Sequence, residues 1–122
     1  MANLNMNGPY SYDLETINAK VWKNKIGNYA LGYTEEGTFY PMYVGRSDND
    51  LHEELVAHLQ DKRYHKQFKF SYASSPTEAF REECRNYHDF FYTKDSKKQL
   101  ENEIHPRAPT GTNLVCALPH KN

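Results

Sequence analysis

The chain has 122 residues, a formal net charge of −1, and 38% hydrophobic and 14% aromatic residues. That length supports one domain and not two comfortable cores. The near-neutral charge excludes a global basic field of the kind that drives non-specific nucleic-acid binding, so any such binding rests on a local patch.

Mean hydropathy is −0.94, yet the aromatic content, ten tyrosines among it, is more than a disordered chain carries. No apolar run approaches membrane-spanning length, and the polar start lacks the apolar core of a signal peptide. Cys84 and Cys116 stand far apart, outside any CxxC pair, which argues against a zinc site. These features imply a cytoplasmic, reducing setting with two reduced thiols.

Residues 1–9 read as a flexible arm and residues 10–122 as a single domain. Residues 10–26 fit two descriptions. Asp13 would cap a short helix carrying Leu14, Ile17 and Val21, while Ala19, Val21 and Trp22 fit an extended segment equally well. Residues 28–34 are expected as a strand, Glu35-Glu36-Gly37 as a turn, and 38–45 as the returning strand. Pro41 removes a backbone donor there and marks an edge position or a bulge.

Ser47-Asp48-Asn49-Asp50 offers several helix N-caps, after which Leu51, Leu55, His58 and Leu59 share one helical face. Residues 67–73 alternate Phe68, Phe70 and Tyr72 with Lys69 and Ser71, as a third strand does. Ser74-Ser75-Pro76-Thr77 caps a long helix expected over 77–92, with Pro76 at its first position. Ala79, Phe80, Glu83, Cys84, Tyr87 and Phe91 recur along it at helical spacing. Then come a solvated break at 94–98, a helical turn at 99–103, a loop at 104–111 and a last short strand at 113–118. The order argues for a small α/β domain of the α+β kind, a three-stranded antiparallel sheet flanked by helices. Two patches combine cations with aromatics: residues 62–69, and Lys20, Lys23 and Lys25 around Trp22.

Taken in order, several short motifs resemble the GIY-YIG nuclease domain. Gly27-Asn28-Tyr29 matches the first tripeptide without its middle Ile. Tyr43-Val44-Gly45 is close to the second and is followed by Arg46-Ser47. The family's first helix reads Leu-x-x-Arg-Leu-x-x-His-Leu. Here Leu51-His52-Glu53-Glu54-Leu55-Val56-Ala57-His58-Leu59 matches it everywhere but Glu54, which replaces the arginine. Ala79-Phe80-Arg81-Glu82-Glu83 matches Ala-x-x-x-Glu, and Asn102-Glu103-Ile104-His105-Pro106 is similar to the ending of many members. The resemblance covers roughly residues 25–106.

This resemblance implies a metal-dependent endonuclease acting on DNA. Glu83, with Glu82 as its rival, would hold Mg²⁺ (or Mn²⁺), an ion that keeps much of its water. Tyr29 and Tyr43 would be the paired tyrosines. One acts on the attacking water and the other orients water or phosphate, although a tyrosine that titrates near 10 needs a cation nearby for base work. His58 suits proton transfer, and Asn102 would hold a strand end or a water. The family's arginine neutralises phosphate charge, and Glu54 would repel it. Arg46 is therefore the candidate substitute, and Glu54 itself a candidate second metal ligand.

Each residue also has a plain alternative. These are core packing for the tyrosines, a surface ion pair of Glu83 with Arg81 or Lys98, closure of an apolar face for His58, and a loop cap for Asn102. Glu54 and the near-neutral charge favour a second reading, a catalytically degenerate domain of the same fold that binds nucleic acid or a protein partner. A third is an unrelated small interaction protein whose tyrosines are core. Target choice in the first reading would come from homodimerisation, a partner or nothing, with no membrane involved.

Overall fold

The computed structural model describes residues 5–62, 65–91, 108 and 109. In chain order the elements are β1 (Asn7–Ser11), α1 (Leu14–Lys20), β2 (Gly27–Glu35), β3 (Thr38–Ser47), α2 (Leu51–Ala57), α3 (Leu59–Lys62), β4 (Gln67–Tyr72) and α4 (Pro76–Phe91). The expected turn at 99–103, the strand at 113–118, Asn102 and Cys116 lie outside the described residues.

The sheet has four strands where three are expected, in the order β1-β4-β2-β3, and every neighbouring pair is antiparallel. The added strand is β1, which takes in Asn7 to Pro9 of the expected arm. It pairs Asn7 with Phe70 and Tyr10 with Phe68. Its five residues are almost all exposed, so no alternation announces it. It is extended because the free edge of β4 offers a row of backbone donors and acceptors.

Residues 10–26 resolve in favour of the capped helix. The Asp13 carboxylate accepts from the Thr16 N–H at 2.8 Å, and Ile17 is fully buried. The β2–β3 hairpin turns through Glu36 and Gly37, with φ of +50° and +81°, the mirror-image turn whose twist matches the strands. Both explanations for Pro41 hold. β3 is an edge strand, and Leu31 faces Tyr43 while Gly32 faces Pro41, which leaves Met42 as a bulge.

Asp50 caps α2 by accepting from the Glu53 N–H at 3.2 Å. The helix expected to run through Leu59 breaks at His58, which is its C-cap, and α3 follows. Ser75 accepts from the Glu78 N–H at 3.1 Å and starts α4, as the Ser-Pro signal implies.

The sheet separates two apolar layers. On one face Tyr29, Leu31, Phe68 and Phe70 pack with Ile17 of α1 and Leu51 and Leu55 of α2. On the other, Ala30 and Val44 pack with Tyr87 of α4. Among the described residues no helix is long and apolar enough to cross a membrane.

Candidate active site

β3 is an edge strand, and its residues point alternately to opposite faces. Tyr43 packs on the α2 side. Val44 packs against α4, and Arg46 meets Glu83 of α4. Side chains from both faces therefore meet just beyond the strand's open edge.

On the α2 side, Tyr29 is 1% exposed, and its hydroxyl donates to Glu54 Oε2 at 3.1 Å. His58, one helical turn after Glu54, places Nε2 3.1 Å from the same oxygen. The Tyr43 ring closes the group, 6.3 Å from Tyr29 and 5.7 Å from His58 between centroids. Gly45 pairs with Tyr29 across the strands. A Cβ on Gly45 would lie 2.7 Å from Tyr29 Cε1 and closer still to the hydroxyl, so the tyrosine reaches Glu54 only because residue 45 has no side chain. Burial, and then the charge of Glu54, push the Tyr29 hydroxyl well above its ordinary pKa of 10. It is a proton donor at neutral pH.

On the α4 side, Arg46 forks onto Asp48, with Nε to Oδ1 at 2.7 Å and Nη2 to Oδ2 at 3.4 Å. Its Nη1 donates to Glu83 Oε1 at 2.5 Å, and the guanidinium lies 5.3 Å over the Phe80 ring. Burial opposes the charge of Arg46, but the hydrogen bonds to Asp48 and the charge of Glu83 outweigh it and raise its pKa. Glu83 is raised from 4.5 to about 7, because burial outweighs the attraction of Arg46 and the charges of Asp48 and Glu54 add to the burden. The rival Glu82 pairs instead with the exposed Arg85 at 2.8 Å.

Between the two groups lies a cavity of about 310 Å³ lined by Arg46, Ser47, Asp48, Asn49, Glu54 and Glu83. With all four charged groups ionised it holds one cation and three carboxylates, a formal −2. Its hard oxygens and its buried acid, short of positive charge, fit a hydrated divalent cation. Among the described residues no group of three or more His, Cys, Asp or Glu side chains converges to hold an ion unaided. A larger cavity, about 620 Å³ beside Gly32, Tyr33, Met42, His65 and Lys66, holds none of the expected site residues.

Tyr29, Tyr43, Arg46, His58 and Glu83 thus stand together, and Asn102 lies outside the described residues. Sequence reasoning passed over Asp48. The signal available was its place two residues after Arg46, close enough for a fork. It also weighed Glu54 only against phosphate or metal and missed that this carboxylate ties Tyr29 to His58. Comparison with known proteins returns no match among family models, curated proteins or solved structures.

Proposed function

We propose that this chain is a metal-dependent endonuclease of GIY-YIG type that hydrolyses DNA phosphodiester bonds. One observation carries the reading. Residues singled out from separate motifs, Tyr29 on β2, Tyr43 and Arg46 on β3, His58 at the end of α2 and Glu83 on α4, stand together at one sheet edge. Arg46 and Glu83 share a cavity there with Glu54.

Glu83, with Glu54 as a second oxygen donor, would hold Mg²⁺ or Mn²⁺. When bound, that ion supplies neutralisation of the scissile phosphate and of the leaving oxygen. The chain's own residues supply the rest. Among the described residues, Arg46 uses three of its five N–H donors, on Asp48 and Glu83, which leaves two to offer a phosphate oxygen. Its stacking on Phe80 and its ion pairs hold it in place before the substrate arrives. His58, oriented by Glu54, takes the proton from the attacking water. Tyr29 is too firmly protonated for that task and acts as a positioning residue that fixes Glu54. Tyr43, half-buried with its ring beside His58, would orient water or phosphate.

A second reading is favoured by a specific observation. Arg46 is already engaged by two carboxylates, and Glu54 adds negative charge where phosphate would approach, as in a degenerate domain that only binds. An assay on plasmid and single-stranded DNA separates the two, with Mg²⁺, Mn²⁺ or EDTA and with the native chain beside Glu83→Ala. The expected outcome is cutting that requires the metal and is lost in the variant. Salt-sensitive binding without cutting would select the second reading, and neither binding nor cutting would leave an interaction protein.

A further inference from the structure

Trp22 and Tyr72 form a stacked pair on the surface. Their ring centroids lie 5.7 Å apart with an interplanar angle of 17°. Trp22 is 67% exposed and Tyr72 37%, an unusual display for two large aromatics in a chain with a small core. The pair is also pinned. The Tyr72 hydroxyl accepts from the Trp22 backbone N–H at 2.9 Å. The loop holding Trp22 is tied down where Leu51 N–H donates to Lys25 O and Ala73 N–H to Ile26 O, both at 2.8 Å. Tyr72 rests against this rigidly held indole and the Lys25 side chain lies over the ring, a flexible cover that a base displaces while the ammonium turns to its phosphate.

The surrounding charge suits a polyanion. Lys25 Nζ lies 5.8 Å from the Trp22 ring centroid, and Lys20 Nζ lies 5.3 Å from that of Tyr10. Lys23 shares a shallow pocket with Asp50 and Glu53, so Lys20 and Lys25 are the cations best placed for phosphate. Position connects this patch to the cavity. Tyr72 pairs with Gly27, and Gly27 pairs with Ser47 on its other side. The three residues form one row across the sheet end, and Ser47 lines the cavity of Arg46 and Glu83. Two strand spacings, about 10 Å, separate the ends of that row.

We infer that the Trp22–Tyr72 stack docks an unpaired base of single-stranded DNA, whose backbone crosses the sheet end to the Arg46–Glu83 cavity. The inference rests on the DNA reading above and adds its substrate class, single-stranded or flapped DNA rather than uninterrupted duplex. A base inside a duplex has no free face to offer, whereas stacking on an aromatic accepts any unpaired base.

Trp22 is the only tryptophan in the chain, so its fluorescence reports on this surface alone. The native chain in EDTA, titrated with a short oligodeoxythymidylate, should show saturable quenching, and a blunt duplex of equal length much less. By anisotropy, Trp22→Ala and Tyr72→Leu should each weaken oligonucleotide binding roughly tenfold, and Trp22→Phe should retain most of it. Oligonucleotide binding with unchanged Trp22 emission would overturn the inference, as would full affinity in Trp22→Ala. A protein-concentration-dependent shift of Trp22 emission without DNA, with a doubled mass, would also overturn it in favour of a second copy on this surface. Metal-dependent cutting without quenching would leave the nuclease reading standing and remove the platform. Quenching without cutting would do the reverse.

Discussion

On the α2 flank of β3 a carboxylate, Glu54, is held by the hydroxyl of a buried tyrosine and the ring of a histidine. On the α4 flank a carboxylate, Glu83, is held by a guanidinium that a second acid also grips. The titration behaviour of the two flanks is opposite. Tyr29 is locked in its protonated form by burial and the nearby charge. Glu83 stands close to neutrality because burial and Arg46 oppose each other. Tyr29 and the Glu54 it holds are therefore a fixed frame, and Glu83 on the α4 flank is the group that answers to pH.

The most severe way to break this contrast is to disturb the fixed flank. Gly45→Ala drives a methyl into the buried Tyr29 ring, which cannot swing away. The expected cost is about 2–3 kcal/mol, a melting temperature lower by roughly 10 °C. Gly37→Ala is the control. Its Cβ meets nothing, and only its φ of +81° is strained, for about 1 kcal/mol. Equal losses in the two variants would mean that Tyr29 is not rigidly held.

The responsive flank is tested next with Glu83→Gln. The folded carboxyl is raised from 4.5 to about 7, so the fold holds this proton more tightly than the unfolded chain does. That contribution is complete below pH 4.5 and is lost as the pH rises to about 7. The native chain should therefore lose ground to the variant across that window, by up to about 3 kcal/mol, and no further above pH 8. At pH 8, Mg²⁺ should raise the melting temperature of the native chain and leave the variant unchanged. A difference flat in pH would mean that Arg46 keeps Glu83 ionised throughout.

Legibility in the sequence followed the same division. The hairpin, the α4 cap and the Asp13 cap were readable because turn and cap chemistry is local: Glu36-Gly37, Ser75-Pro76 and Asp13-Thr16 sit within three residues of each other. β1 was not readable, because Asn7-Gly8-Pro9-Tyr10-Ser11 becomes a strand only by meeting the edge of β4, some 60 residues away. Within the candidate site, the motif resemblance marked Tyr29, Tyr43, His58 and Glu83, and Arg46 was marked by its place directly after the second tripeptide. The pairings Arg46–Glu83 and Tyr29–Glu54 span 37 and 25 residues and depend on which face of β3 each residue takes. The one-residue bulge at Met42 moves Pro41 and all earlier β3 residues against β2 without disturbing Tyr43 to Ser47. The strand signals placed the start of β3 at residue 38, where it is, and ended the strand at 45, two residues short of Ser47, which read as a helix cap.

Asp48→Asn makes the mildest change and links the flanks most directly. Asp48 is a third exposed, at 34%, so its pair with Arg46 is worth no more than about 1 kcal/mol, and Asn retains a carbonyl for Nε. Stability should fall by only a few degrees of melting temperature. The larger consequence is electrostatic. Removing the charge releases one arm of the guanidinium fork and lifts part of the burden on Glu83, to whose raised pKa Asp48 contributes. DNA affinity should rise two- to threefold at low ionic strength and converge with the native value at high salt, where exposed charges are screened. The pH window of the Glu83→Gln comparison, repeated in this background, should move toward lower pH. An unmoved window, with affinity unchanged at low salt, would mean that Asp48 only positions Arg46 and is not felt electrically across the cavity.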